Sequence, residues 1–491
     1  MSADDGPALH DFSSLVDEEI PRIQALVSSG SVTPGDAVAQ LLDIEKKTRL
    51  GGDSPSTTKL AKAILDTWAA VGDWQQFAEA VDTLAKRRAQ MKQVIITTIQ
   101  FSMERANEVS DAETKIKLFA ALRDATEGKI YVELERARLT RKLSQLYEES
   151  GQIEKASDVL QTMQVETVTS MELAEKADYM LEQFRLTLDT DDLMRAELVK
   201  NKVYPEKLKG STELDEIKLR YHQLCVRFFT CKRDALAIAQ NYRAAYDSPL
   251  LHPKKQDEQK PTDEDKMKTD EDEKEQEQAN EQTEAQMQQA EAQADELFKR
   301  AVMFAALAPR DMTQASLLQD LKLRHKKRLQ RLPHEQQALE WLVSDRLIPW
   351  QLPPNEQVLP CFSQWRSHPC FKQEDPDLAV EDKSRWTTLH RRVVQHNVRV
   401  IAKFYSRIRL NRMAQLLRLD EPMTEKIVCE LVQRDDVWAR IDRPAGVVHF
   451  VRHQPKEQVL DAWGSEVALL LKKIERTTHL IEKENMVHAV Q

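Results

Sequence analysis

The chain has 491 residues, 41% of them hydrophobic and 31% charged, with a formal net charge of −10 at pH 7. No transmembrane span is expected, because the longest apolar stretch, near Ala301 to Ala308, is far shorter than the roughly 20 residues a bilayer needs. Only 11 glycines serve the whole length, well under the roughly 7% of average usage, and sheet-rich folds need glycine at their turns, so composition favours helices.

At the N-terminus, MSADDGPALHDFSSLVDEE is acidic and has no apolar core, so no secretory signal is expected. Polar turn signals then recur ahead of amphipathic helices. They stand at Gly35-Asp36, Gly72-Asp73, Asp111, Gly151-Gln152, Asp191-Asp192 and Lys232-Arg233, with intervals of 37, 39, 40, 40 and 41 residues between first members. After several of them an apolar residue follows two positions on, and a small or apolar one three later: Trp74 and Phe77, Ile153 and Ala156, Leu193 and Ala196. One helical hairpin cannot bury its apolar face alone, whereas stacked neighbours bury it mutually. Residues 1–251 are therefore read as a degenerate tetratricopeptide-like solenoid.

Residues 252–296 break this pattern. Between Gln256 and Glu296 stand 16 Asp/Glu against 4 Lys, so the acidity of the chain lies in one segment and the rest is near neutral. Little in it can offset ordering entropy, and a disordered, solvated insert is expected, its end at 279–296 leading into the next helix. Helical pattern resumes at 297 and runs to about 347, interrupted at Pro309 and Pro333. A proline-rich loop from Pro349 to Pro376, holding Trp350 and Trp365, closes the region 297–376. Five scattered cysteines (Cys225, Cys231, Cys361, Cys370, Cys429) point to reduced thiols and an intracellular home.

Over 377–455 the grammar changes. A helix at 377–404, an extended stretch at 405–408 and helices at 410–417 and 423–433 are followed by alternating stretches at 437–441 and 447–451 about the turn Arg443-Pro444-Ala445-Gly446. Helix, strand, helix, helix, strand, strand is the order of a winged helix, with Ile401, Tyr405, Ile408, Met413, Leu431 and Trp438 among its core candidates. Unpaired edge strands are templates for another chain, which makes Val437, Trp438, Ile441, Val448 and Phe450 candidate partner-binding residues. The last helix, within 456–491, carries Leu460, Trp463, Val467, Leu470, Ile474, Thr477 and Ile481 at alternating spacings of three and four. That is a heptad seam, expected to bundle with equivalent helices of other subunits.

A helical-repeat solenoid capped by a winged helix is the plan of PCI-domain proteins, which build the proteasome lid, the COP9 signalosome and a translation-initiation complex. The strings at 126–140 (TEGKIYVELERARLT), 394–417 (VQHNVRVIAKFYSRIRLNRMAQLL) and 477–491 (TTHLIEKENMVHAVQ) resemble the proteasome-lid members of that family, as does QVETV after a repeat hairpin. The resemblance implies an all-α fold and an architectural role in lid assembly and ubiquitin-dependent degradation, in cytoplasm and nucleus. It implies a hetero-oligomer with other PCI-domain lid subunits and the lid deubiquitinase pair, the solenoid arm touching the ATPase ring or core particle. The COP9 signalosome, whose subunit four has similar architecture, stays open as an alternative.

No catalytic residue, cofactor, metal or membrane contact is expected. Gly128-Lys129 is followed by Ile130 and has Arg123 where a phosphate loop needs its leading glycine. No histidine lies two residues from another, and no Cys-x-x-Cys pair occurs. Nucleic acid is the competing partner, because Arg391, Arg392, Arg399, Lys403, Arg407, Arg409, Arg412 and Arg418 form a run without an acidic residue. Against it stand Glu421, Glu425, Glu430, Asp435 and Asp436 on and beside the helix that would enter the major groove. The patch formed by Arg399, Lys403, Arg407, Arg409 and Arg412 is therefore expected to meet an acidic neighbouring subunit.

Overall fold

The computed structural model describes residues 12–29, 32–208, 211–251, 270–352, 357–371, 385–451 and 456–489. The expectations for the N-terminal stretch, for 252–269, for 377–384 and for Pro353, Pro354 and Pro376 fall outside these residues. The described chain is all-α apart from five short strands, and it divides into two compact units, 1–233 with 241–297 and 234–240 with 298–491.

The first unit is built of helical hairpins. In chain order these are α1 (Ser13–Ser28) and α2 (Pro34–Leu50), α3 (Ser54–Val71) and α4 (Trp74–Lys86), α5 (Lys92–Asn107) and α6 (Ala112–Ala125), α7 (Glu133–Glu149) and α8 (Ile153–Gln161), and α9 (Leu173–Asp189) and α10 (Leu193–Lys202), followed by α11 (Thr212–Lys232); α12 (Ala235–Tyr246) is divided between the units at 240. The turn signals sit where the hairpins reverse. Gly72 closes α3 at φ 80°, donating its N–H to the carbonyls of Trp68 and Ala69. Asp73 then caps α4, its Oδ1 accepting from the backbone N–H of Gln76 at 3.1 Å. Asp111 and Asp192 cap α6 and α10 in the same way. Gly35-Asp36 differs, lying inside the first turn of α2 rather than between two helices.

The repeat pattern is also a packing pattern. Phe77, Ala156 and Ala196 are all fully buried, so the second helix of each of these hairpins approaches its partners at a residue chosen for fit. Core clusters overlap along the stack: Leu41 and Ile64 within α1–α4, Phe77 and Phe119 within α3–α7, Leu160 and Tyr179 within α7–α9, Phe184 and Phe228 within α9–α11. Charge follows the same period. Arg138 on α7 meets Glu175 on α9 at 2.8 Å, Glu148 on α7 accepts from Arg185 on α9 at 2.7 Å, and Asp189 on α9 accepts from Arg227 on α11 at 2.9 Å, at sequence separations of 37, 37 and 38.

Helix α13 (Asp270–Leu307) begins within the segment read as a disordered insert, nine residues ahead of the end at 279–296 expected to lead into the next helix. Residues rich in Glu, Gln and Ala lack the apolar surface for a core, yet they are strong helix formers. The second unit continues with α14 (Met312–Arg324), α15 (Lys326–Arg331), α16 (Pro333–Val343), the ribbon β1 (Gln351–Leu352) and β2 (Gln357–Val358), α17 (Pro360–Ser367) and α18 (Arg385–Phe404). Pro333 and Pro360 start helices rather than break them, because the first helical turn needs no amide donor there. The proline-rich stretch is accordingly more than loop. Helix α17 buries Cys361, Phe362 and Trp365, and Trp350 stacks on Phe362 at 5.5 Å and tilts against Trp386 at 5.0 Å.

After α18 come β3 (Arg407–Arg409), α19 (Leu410–Leu417), α20 (Glu421–Gln433), β4 (Arg440–Asp442), β5 (Val447–His449) and finally α21 (Lys456–Ala489). The three strands form an antiparallel sheet in the order β3-β5-β4, with Ile408 and Ile441 both opposite Val448. Ile401, Ile408, Met413, Leu417, Ile427, Leu431 and Val448 form its core. Two expected core members are corrected. Tyr405 and Trp438 are 42% and 39% exposed, because the strands begin only at Arg407 and Arg440 and leave both rings outside the sheet.

Candidate partner-binding surfaces

In the order β3-β5-β4 the middle strand is bonded on both sides, so the free edges belong to β3 and β4. That corrects two expected edge residues. Val448, on the central strand, is fully buried, and Phe450 just beyond it is buried too, its N–H bonded to Ser406 O at 2.9 Å. Val437 and Ile441 are half-buried and Trp438 is exposed, at the other side of the sheet. There β4 and α20 enclose an open groove of about 1050 Å³, lined by Val428, Cys429, Val432, Trp438, Ile441 and Val451 among others. Arg443 at its rim pairs with Glu425 of α20 at 2.7 Å. A free strand edge beside a part-apolar groove can accept an extended segment, which pairs by backbone while placing alternate side chains in the groove. Cys429 and Val432 were not visible as site residues in the sequence. The signal available was the apolar spacing of α20 on the side that the helix turns toward β4.

Helix α21 is unlike the rest of the unit. Every side chain from Glu457 to Met486 is exposed, including Leu460, Trp463, Val467, Leu470, Ile474 and Ile481, and Trp463 retains 65% of its surface. A helix of 34 residues is roughly 50 Å long, and isolated helices draw little stability from propensity alone. An apolar stripe running from Leu460 to Ile481 on a water-facing helix has the character of an interaction surface.

The basic residues do not form one face. Helix α18 carries Arg399 half-buried, which corrects its assignment to an exposed patch. Lys403 is paired with Asp345, and Arg391 with Glu430 at 2.5 Å. Arg407 and Arg409 point outward from the edge strand β3, on the side opposite the buried Ile408, and Arg412 donates to Gln415 Oε1 at 3.3 Å. Burial pushes the Arg392 and Arg399 guanidiniums down to about 10. It also pushes the imidazole of His396, between them on the same helix, down to about 4. Charges on an edge strand discourage unwanted pairing, and both edges carry them, Arg407 and Arg409 on β3 and Arg440 and Asp442 on β4.

Among the described residues no group of three or more His, Cys, Asp or Glu could hold a metal ion, and no helix is long and apolar enough to cross a membrane. Residues 36–254 match the family described as PSMD12/CSN4, N-terminal, residues 365–452 match the PCI domain, and residues 457–489 match the 26S proteasome regulatory subunit RPN5 C-terminal domain. Similar curated proteins include 26S proteasome regulatory subunit rpn501 of Schizosaccharomyces pombe, 32% identical over 96% of this chain and 97% of the relative. They include RPN5 of Saccharomyces cerevisiae, 30% identical over 98% of this chain and 97% of the relative. COP9 signalosome complex subunit 4 of Arabidopsis thaliana is 27% identical over only 22% of this chain and 26% of its own length.

Proposed function

The chain belongs to the family of 26S proteasome non-ATPase regulatory subunit 12, and we propose on that premise that it is a non-catalytic scaffold of the regulatory-particle lid, acting in ubiquitin-dependent protein degradation in cytoplasm and nucleus. The observation that carries the reading is α21, whose apolar seam from Leu460 to Ile481 is bare along its whole length. A seam of this kind is buried only when other helices join it. In this reading the C-terminal helices of several lid subunits bundle, the β4 edge and its groove join a neighbouring winged helix, and the solenoid projects as an arm toward the ATPase ring or core particle. Neighbours are other PCI-domain subunits and the lid deubiquitinase pair. The lid is favoured over the COP9 signalosome because the likeness to lid subunits runs over nearly the full chain and includes 457–489.

The test is purification of a tagged, natively expressed copy, with mass spectrometry of what accompanies it and the mass of the intact complex. Stoichiometric lid subunits are expected; signalosome subunits, or a chain alone with nucleic acid, would sink the reading. The double variant Val467→Glu, Ile474→Glu is expected to fold as the parent does and to drop out of the complex, because each carboxylate would be buried unpaired in the bundle. Normal assembly of that variant would remove the seam from the mechanism.

A further inference from the structure

From Leu321 to His334 stand Lys322, Arg324, Lys326, Lys327, Arg328 and Arg331 with no acidic residue among them. The stretch joins α14 to α15 and is anchored to the core: Leu321, Leu329 and Leu332 are buried, and His325 at the junction meets Phe298 edge-on at 5.6 Å. Arg324 pairs with Asp320, whereas Lys326 and Lys327 are exposed and form no ion pair among the described residues. Lys322 and Arg324 lie in the last turn of α14, where the helix dipole favours cations. The first turn of α15 is the opposite case. Lys326, Lys327 and Arg328 open it at the positive end of the helix, no side chain caps it, and like charges this close repel. Chains break such local rules mainly at functional positions.

Apolar surface lies beside these cations. Met312 and Leu323 stand about three turns apart along one face of α14, and they are 84% and 62% exposed. Ser316 and Gln319 between them are exposed as well, so this side of the helix meets water uncharged until it reaches the lysines. A surface that offers an exposed leucine and then unpaired cations suits carboxylates set about an apolar side chain. It suits nucleic acid less, because no Phe, Trp or Tyr stands between 321 and 334 for a base to stack on, and His325 is already engaged by Phe298. We propose that the outward side of α14, with Lys326 and Lys327 beyond it, is a docking surface for an acidic segment of a partner protein, one that carries an apolar side chain among its carboxylates.

The experiment uses the full chain as wild type, as the double variant Lys326→Gln, Lys327→Gln, and as Leu323→Ser. All three side chains are exposed, so each variant is expected to fold as the parent does. The probes are two dye-labelled peptides of about 16 residues, one of glutamate and serine and the other the same with two leucines a helical turn apart, followed by fluorescence anisotropy at about 0.15 M salt. The leucine-bearing peptide is expected to bind wild type at least ~10-fold tighter than the lysine variant and about 5-fold tighter than Leu323→Ser. The peptide without leucine is expected to lose affinity for the lysine variant and to bind Leu323→Ser as it binds wild type. Equal affinity of all three proteins for the leucine-bearing peptide would overturn the proposal. So would tighter binding of an RNA oligonucleotide of the same length than of either peptide, which would make the patch a nucleic-acid surface. Peptide binding that appears only after the acids at 270–281 are changed to glutamine would assign the patch to the chain's own acidic stretch, and would overturn the proposal too. Neither readout depends on lid assembly, so the outcome is separate from that of the scaffold reading.

Discussion

Ala89 sits between α4 and α5 at φ 62°, a left-handed conformation it shares with Gly72 and Gly151 at 80° and 78°. A Cβ in that region costs about 1–2 kcal/mol, part of which glycine returns through its freer unfolded state. Ala89 is exposed, so nothing else is lost by replacing it. Ala89→Gly is expected to stabilise the chain by about 0.5 kcal/mol and Gly72→Ala to destabilise it by about 1 kcal/mol, measured by urea unfolding. His396 supplies a pH dependence. Burial holds its folded imidazole near 4, below the ordinary 6.5, so the unfolded chain binds the proton first. Stability is full above pH 6.5 and falls as pH drops from there toward 4, and His396→Gln is expected to flatten that slope in melts across the window. Legibility at this scale was uneven. Asp73, Asp111 and Asp192 were legible as turn signals, and they prove to be helix caps because capping is local chemistry. Arg399 looked like any other member of a basic run, because only the approach of the residues around Arg310 and Asp436 decides which arginine is turned inward.

Among elements, the helices were readable and the strands only in order. Strands of three residues give alternation too few positions to fix their ends, which is why Tyr405 and Trp438 read as core and Val448 as both core and edge. Strand order inside the sheet was not readable at all, since it depends on β5 inserting between β3 and β4. Two measurements belong here. Deleting 456–491 is expected to leave the unfolding midpoint of the remaining chain within about 1 °C, because α21 buries no described side chain, while abolishing lid incorporation. Arg185 on α9 holds Glu148 of α7 at 2.7 Å and its own helix's Glu182 and Asp189 at 2.8 and 3.0 Å. Arg185→Ala is expected to cost about 1 kcal/mol in low salt and less at high salt, since these side chains are partly solvated. A salt-independent loss would assign the residue to packing instead.

For the whole molecule, the interval near forty residues was the most informative single signal. It reports a stack in which each repeat touches its neighbours, and the overlapping clusters and inter-repeat ion pairs follow from that. The division into two compact units was less visible, because the acidic composition at 252–296 suggested a break there, whereas the units divide at 297, inside α13. Two compact units are expected to unfold in more than one cooperative step. Calorimetry of the isolated chain is expected to give a van't Hoff enthalpy smaller than the calorimetric one. Equal values would mean that the units melt together.

The bare stripe on α21 also bears on turnover. A copy without partners shows water an apolar band that an assembled copy hides, so orphan copies are the ones that chaperones and proteases can tell apart by touch. Excess synthesis is then expected to shorten the lifetime of the surplus alone, so that an overproduced copy decays faster in a pulse-chase than an assembled one.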